Sequence, residues 1–182
     1  MCRHLAYVGT PLRIGELVTD PPFSLVRQAW APRRQEHGVV NADGFGVAWY
    51  VDGQTEPARH RGAGPVWADE TFAELARAIT TGGLLAAVRS ATIGMVGGQS
   101  VAAAAPFRAG AWLFSHNGAL AGWPAGASRL AWGLDPGMLA TLDAPTDSAL
   151  LWAITLDLLH RGKTPAAAGA PFSPIWSSRG TP

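Results

Sequence analysis

Residues 1–8 read MCRHLAYV, and this stretch carries the first strand together with the reactive group of the chain. Cys2 is the only cysteine among 182 residues, and it directly follows the initiator methionine. Loss of Met1, which a small second residue favours, would give Cys2 a free α-amine beside its thiol. A free thiol has a pKa of about 8.5 and an α-amine one of about 7.7–8.0, so the amine can take the thiol proton near neutral pH. We therefore predict that Cys2 is a nucleophile with its own base, and not a small buried apolar residue.

The composition indicates an ordinary globular protein, with 48% hydrophobic residues, 15% charged residues and a formal net charge of +1. A chain of this length can bury one sizeable core. The small net charge gives no reason to expect nucleic acid or an anionic membrane as a partner. A single cysteine excludes an internal disulfide framework, and no apolar run approaches the roughly 20 residues that span a bilayer. Only Met1 precedes Cys2, so no signal peptide is expected and the predicted compartment is the cytoplasm.

The pattern of apolar runs and turn residues predicts an α+β fold in which turns join most of the strands. Strands are expected at residues 2–8, 47–51, 58–61, 84–90 and 111–115. Helices are expected at residues 23–30, from Asp69 to the Gly82-Gly83 pair, and from Thr146 or Asp147 to Gly162. Residues 119–145 are predicted to form a long loop. Residues 163–182 are rich in proline and alanine, and they are predicted to form an irregular tail.

Two polar features follow predicted strands, where a rigid scaffold can aim a side chain. Arg89 ends an apolar strand, and its planar guanidinium matches a carboxylate; the alternative is an ordinary surface arginine. Asn117 and Gly118 follow another strand, and an amide group with a glycine N–H could stabilise an oxyanion. The alternative for this pair is a plain Asn-Gly turn.

Asp147 opens a predicted helix, where it is either a helix cap or an anchor for an ammonium group. Combined with the other features, the second role describes a single ligand. Arg89 would hold a carboxylate and Asp147 an ammonium group, while Asn117 and Gly118 would face the oxyanion formed when Cys2 attacks a carbonyl. An α-amino acid with a distal amide, that is a γ-glutamyl group, fits all of these roles.

The chain resembles the class II glutamine amidotransferases of the N-terminal-nucleophile hydrolase superfamily. The matching stretches, in chain order, are Met1-Cys2, VRSAT at 88–92, SHNG at 115–118 and TDS at 146–148. The resemblance implies a four-layer αββα sandwich with two antiparallel sheets, and it implies no metal and no organic cofactor. It assigns Cys2 as the nucleophile, and Asn117 and Gly118 as the oxyanion hole. It also assigns Arg89 and Asp147 to the charged ends of the glutamyl group, with Thr92 as a helper.

Within that family the chain looks most like the branch that hydrolyses a γ-glutamyl hercynylcysteine S-oxide in ergothioneine biosynthesis. The stretches that carry this closer match are residues 1–9, 31–50 and 86–95. Members of the family resume with several strands after the helix at Asp147, whereas this sequence continues into the predicted irregular tail. We therefore expect a family domain over residues 1–162 that is incomplete at its C-terminal end. The alternatives are a glutaminase module that passes ammonia to a synthetase partner, and an inactive remnant.

The ergothioneine resemblance also implies a trimethylammonium group on the substrate. Such a cation is commonly held against aromatic faces. Trp30, Trp123 and Trp132 are the candidates for this contact, and ordinary packing is the alternative role for each of them.

Overall fold

The computed structural model describes residues 2–33, 40–91 and 100–169. The chain divides into two compact units, residues 1–117 and residues 118–182. In the described part of the first unit the strands are β1 (Arg3–Arg13), β2 (Phe45–Trp49), β3 (Ala58–Gly62), β4 (Thr80–Val88), β5 (Phe107–Ala109) and β6 (Trp112–Phe114). Its helices there are α1 (Ile14–Val18), α2 (Leu25–Trp30) and α3 (Glu70–Ala78). The second unit contributes α4 (Ala127–Ala131), α5 (Pro136–Ala140), α6 (Asp147–His160) and α7 (Pro165–Gly169).

Both sheets in the described residues are antiparallel, and they confirm the predicted α+β class. The larger sheet has the order β1-β4-β2-β3, and β5 pairs with β6 in the smaller one. In the larger sheet Val88 lies opposite both Arg3 and Phe45. The residues that precede β1 and β2 therefore meet the residues that follow β4 at one end of the sheet.

One face of the larger sheet forms the core of the first unit. Because side chains alternate along a strand, every second residue of β2 and β4 points to this face. The buried members include Phe45, Val47, Leu84, Ala86 and Val88. They pack with apolar residues of the three helices, namely Ile14, Val18, Leu25, Ala29, Phe72 and Ala76.

The opposite face of the larger sheet is covered, at β2 and β3, by the segment that leads into β5. Arg61 donates to the carbonyl oxygens of Ala102 and Ala104 at 3.2 Å, and Arg59 donates to Pro106 at 3.0 Å. A Cβ at position 46 would collide with the Ala105 carbonyl, so this approach requires Gly46.

Two predicted element boundaries, at Pro11 and at the Gly82-Gly83 pair, are wrong, because strands accommodate these residues here. The first strand was expected to stop before Pro11, yet β1 continues to Arg13. It is an edge strand whose register shifts between Val8 and Leu12, and both features accommodate a proline. The Gly82-Gly83 pair was expected to end a helix, but α3 ends at Ala78 and both glycines lie inside β4. A Cβ at position 82 would come within 3.0 Å of the Gly9 carbonyl oxygen, so the neighbouring strand favours glycine there.

Several short elements went unpredicted in both units. Residues 119–145 were expected to be a loop but contain α4 and α5. The second of these begins with Asp135 as its N-cap and Pro136 in its first turn, which is a recognised helix start. Helix α1 and strand β5 were also missed. The tail predicted from residue 163 to be irregular contains the five-residue helix α7. The rest of the tail, residues 170–182, lies outside the described residues.

Helix α6 is the main element of the second unit, and its start is as expected. The Thr146 side chain accepts from the Ala149 N–H and caps the helix, and Gly162, with φ of +78°, follows its last turn. Among the described residues, none of the helices combines the length and the apolar character that crossing a bilayer requires.

Candidate active site

The residues around Cys2 are brought together by strand register. Cys2 directly precedes β1, Arg89 directly follows β4, and Gly44 directly precedes β2. These strand ends lie side by side, because β4 pairs with both β1 and β2. The structure therefore places two of the predicted site residues, Cys2 and Arg89, at the same end of the same sheet.

The thiol of Cys2 is half-buried and has a defined partner. It donates to the Ser90 carbonyl oxygen at a distance of 3.7 Å from sulfur to oxygen. Met1 lies outside the described residues. The sulfur itself is held against the segment that continues from β4 through Arg89.

Arg89 is fixed by its backbone and by its side chain. Its N–H donates to Gly44 at 2.8 Å, and its carbonyl accepts from the Asp43 N–H at 3.1 Å. One guanidinium nitrogen also donates to the Asp43 carbonyl oxygen at 3.3 Å. These bonds hold both the backbone and the guanidinium group of Arg89 at the turn before β2. A guanidinium held in this way is suited to bind a ligand carboxylate in one orientation.

Asp43 contacts Arg89 and Ala91 in the candidate site, and the sequence analysis did not single it out. Its carboxylate accepts from the Ala91 N–H at 2.8 Å. Ala91 N–H and the Ser90 carbonyl belong to the same peptide group, so Asp43 holds one end of this group while Cys2 contacts the other. The available signal was Asp43 before Gly44 in a turn, since Gly44 has φ of +119°, a conformation that strongly favours glycine. The Asp43-Gly44 pair indicates a turn, but it does not show which strand end the Asp43 carboxylate will contact.

Asn117 follows β6, and the structure brings this part of the chain to β1. The Ser115 hydroxyl lies 3.4 Å from His4 Nδ1. Ser115 is two residues before Asn117, and His4 is two residues after Cys2. The half-buried Asn117 is therefore at the end of a segment that contacts the nucleophile-bearing strand close to the nucleophile.

Gly118 and Asp147 belong to the second unit, where Asp147 is linked to the chain just beyond Gly118. One carboxylate oxygen of Asp147 accepts from the Leu120 N–H at 2.9 Å, and the other accepts from the Ser148 N–H at 2.8 Å. The residue is only 6% exposed. Thr146 is the residue that caps α6, so the alternative role of Asp147 as the helix cap is wrong. The Asp147 carboxylate nevertheless has a structural partner, the Leu120 N–H.

The remaining predicted site residue, Thr92, lies outside the described residues. Among the residues that the structure does describe, no group of three or more His, Cys, Asp or Glu side chains is arranged to hold a metal ion.

Comparison with known proteins identifies the family. The model of the class II glutamine amidotransferases matches residues 12–133, and this chain belongs to that family. A solved class II glutamine aminotransferase domain protein from Silicibacter pomeroyi superposes with a TM-score of 0.61 at 26% identity. That match covers all of this chain and 67% of the solved one.

Two curated relatives are more specific, and both are named gamma-glutamyl-hercynylcysteine sulfoxide hydrolase. The protein from Mycolicibacterium smegmatis is 43% identical over 169 residues, which is 93% of this chain and 69% of that protein. The protein from Mycobacterium tuberculosis H37Rv is 42% identical over 172 residues, covering 93% of this chain and 67% of the relative. The resemblance expected from the sequence motifs is thereby confirmed.

Proposed function

We propose that this chain hydrolyses the γ-glutamyl amide bond of γ-glutamyl hercynylcysteine S-oxide, giving glutamate and hercynylcysteine S-oxide. The observation that carries the proposal is the 43% identity, over 93% of the chain, to a hydrolase named for that substrate. The geometry agrees with this reaction, because Cys2 and Arg89 share one end of the larger sheet. The proposed domain covers residues 1–162.

In the proposed reaction Cys2 is the nucleophile once Met1 has been removed. The α-amine takes the thiol proton as sulfur attacks the amide carbonyl carbon, and the carbonyl oxygen becomes an oxyanion. The Asn117 side chain and the Gly118 N–H stabilise that oxyanion. The C–N bond then breaks, the departing amine takes the proton, and a glutamyl thioester remains on Cys2. Water hydrolyses the thioester, which releases glutamate and restores the thiol.

The glutamyl half is proposed to bind through its two charged ends. Arg89 pairs with the α-carboxylate, with Thr92 as a helper, and its anchoring to Asp43 supports this role. Asp147 binds the α-ammonium group. The Leu120 N–H donates to one of its carboxylate oxygens, and the Ser148 N–H and hydroxyl donate to the other, the hydroxyl at 3.5 Å. A carboxylate oxygen can accept more than one hydrogen bond, so these contacts leave room for an ammonium donor.

The test compares two substrates on the purified protein, with glutamate release as the measurement. We expect turnover of γ-glutamyl hercynylcysteine S-oxide at a kcat/KM well above that for glutamine, and none with Cys2→Ala. A preference for glutamine would instead identify a glutaminase that supplies ammonia to a partner. Labelling by a diazoketone analogue of glutamine provides a second readout. Absence of label at Cys2 in the wild type would refute the proposed nucleophile.

A further inference from the structure

His4 lies beside the nucleophile and has no role in the reaction proposed so far. It is the second residue of β1 and follows Cys2 by two positions. Because side chains alternate along a strand, His4 shares with Cys2 the face of the larger sheet opposite the core face, which carries Leu5 and Tyr7. Its Nδ1 lies 3.4 Å from the Ser115 hydroxyl. What this contact does depends on how β6 and the residues after it cross that face.

Strand pairing arranges the residues of the larger sheet in rows that run across the strands. In each row one residue of β1 lies beside one of β4 and one of β2. Three of these rows, in the order that leads toward the nucleophile, are Val8-Gly83-Tyr50, His4-Ala87-Gly46 and Cys2-Arg89-Gly44. The last of them extends the Arg3-Val88 pair by one residue. We call them the first, second and third rows.

Two contacts place the segment around β6 over these rows. At its start the Tyr50 hydroxyl donates to the Ala111 carbonyl oxygen at 2.8 Å, so Ala111 lies over the first row. At its end Ser115 contacts His4 and lies over the second row. The segment therefore runs antiparallel to β1, and four positions separate the two rows both on β1 (8 to 4) and on the segment (111 to 115). At this common spacing Asn117 reaches the third row, which is the row of the nucleophile.

The contact with His4 comes where the pairing of β6 ends. The last pair between β5 and β6 is Phe107 opposite Phe114, so Ser115 is the first residue past this ladder. A side chain of β1 thus holds the chain at the point where β5 no longer does. The separation of 3.4 Å exceeds the usual 2.7–3.2 Å, and contacts of this kind in a free enzyme often shorten when substrate is bound.

We propose that His4 is a positioning residue for the oxyanion step and that it acts through Ser115 to hold Asn117 in register with Cys2. This inference rests on the proposed function, in which Asn117 stabilises the oxyanion. A hydroxyl and an imidazole can each donate or accept, so the contact forms with either group as the donor. A displaced oxyanion donor weakens the transition state more than it weakens the bound substrate, so the role of His4 should appear in kcat.

The first test compares variants at the two ends of the segment by steady-state kinetics. We expect His4→Phe and Ser115→Ala to lower kcat by about 3- to 10-fold, the factor that one neutral hydrogen bond is worth, with KM within about twofold. The loss should be the same for γ-glutamyl hercynylcysteine S-oxide and for glutamine, since both form the oxyanion at the same place. A loss confined to the S-oxide substrate, or one carried by KM, would overturn the positioning role.

Two further variants serve as the rescue and the control. His4→Asn should restore most of kcat, because an asparagine amide places a polar atom at the same number of bonds from Cβ as Nδ1. Tyr50→Phe removes the hydroxyl bond at the far end of the segment, over the first row, and should leave kcat within about twofold. If Tyr50→Phe lowered kcat as much as His4→Phe does, general loosening of the segment would account for both losses.

The second test asks whether His4 acts through the oxyanion donor. When His4→Phe is added to Asn117→Ala, we expect no further fall in kcat, because the group that His4 positions is already absent. A merely structural role would lower kcat by the same factor in both backgrounds. Such an additive result would overturn the proposal.

The outcomes also separate this inference from the proposed function. If the wild type cleaves glutamine but not the S-oxide substrate, the substrate proposal fails and the same variants are compared on glutamine. If it cleaves neither, the proposed function fails, and unfolding by denaturant still tests the contact. The destabilisation by His4→Phe and by Ser115→Ala should then be non-additive in the double variant, and additive effects would show that the two side chains are not coupled.

Discussion

The contact between Asp43 and the 90–91 peptide group leads to a quantitative prediction for Asp43→Asn. Asparagine keeps the shape and a neutral acceptor oxygen for the Ala91 N–H, so only the charge of the 2.8 Å bond is lost. Hydrogen bonds to charged groups contribute about 1.5–3 kcal/mol and neutral ones about 0.5–1.5, so the contact weakens by about 1–1.5 kcal/mol. The 90–91 peptide group, whose carbonyl oxygen accepts from the Cys2 thiol, is then held less firmly. A smaller fraction of the molecules therefore holds the sulfur in the position for attack.

The expected result is a fall in kcat of about 5- to 10-fold, because about 1.4 kcal/mol corresponds to a factor of ten. KM should stay within about twofold of the wild type, since Arg89 contacts the main-chain oxygen of Asp43, which the substitution keeps. The assay is steady-state glutamate release together with thermal unfolding. A kcat within about twofold of the wild type would refute the reasoning, and so would a rise in KM that accounts for the whole loss.

Asp69→Asn is the control for this experiment. Asp69 also accepts from a backbone N–H, that of Phe72 at 2.7 Å, but it does so at the start of α3, and it pairs in addition with His60 at 3.1 Å. Both variants should lower Tm by a few degrees, at about 2–4 °C per kcal/mol for a chain of this size. Only Asp43→Asn should lower kcat. Equal losses of kcat in the two variants would attribute the effect to stability alone.

The remaining predictions separate processing, binding and chemistry at the proposed site. Intact mass should show that Met1 is absent from the active protein, and a fully active preparation that retains Met1 would contradict the α-amine as base. Arg89→Lys keeps the charge but loses the planar fork, so steady-state kinetics should show mainly a raised KM. Asn117→Ala should lower kcat by about 10²- to 10³-fold through loss of an oxyanion donor, and an effect on KM alone would exclude that role.

The fold was predictable from the sequence where local pattern and tertiary pairing agree. Helices α2, α3 and α6 begin at side-chain caps, and β2 and β4 carry alternating apolar residues that reach the core. Prediction failed where pairing outweighs local preference. Pro11 is tolerated in an edge strand with a register shift, and Gly82 is favoured by a neighbouring strand, but neither condition can be read before the pairing of β1 with β4 is known.

The same distinction, between local pattern and tertiary pairing, applies to the candidate site. Cys2, Arg89, Asn117 and Asp147 were predicted as site residues because each bears a reactive, charged or hydrogen-bonding group at the end of an element, and this property is local in sequence. Asp43 was missed because its role depends on its partner, the Ala91 N–H, which is 48 residues away and reaches it only through the pairing of β2 with β4. The residues proposed to perform the chemistry can thus be predicted from the sequence of this chain, whereas a residue such as Asp43, whose partner is brought to it by strand pairing, can be recognised only once the strand register is known.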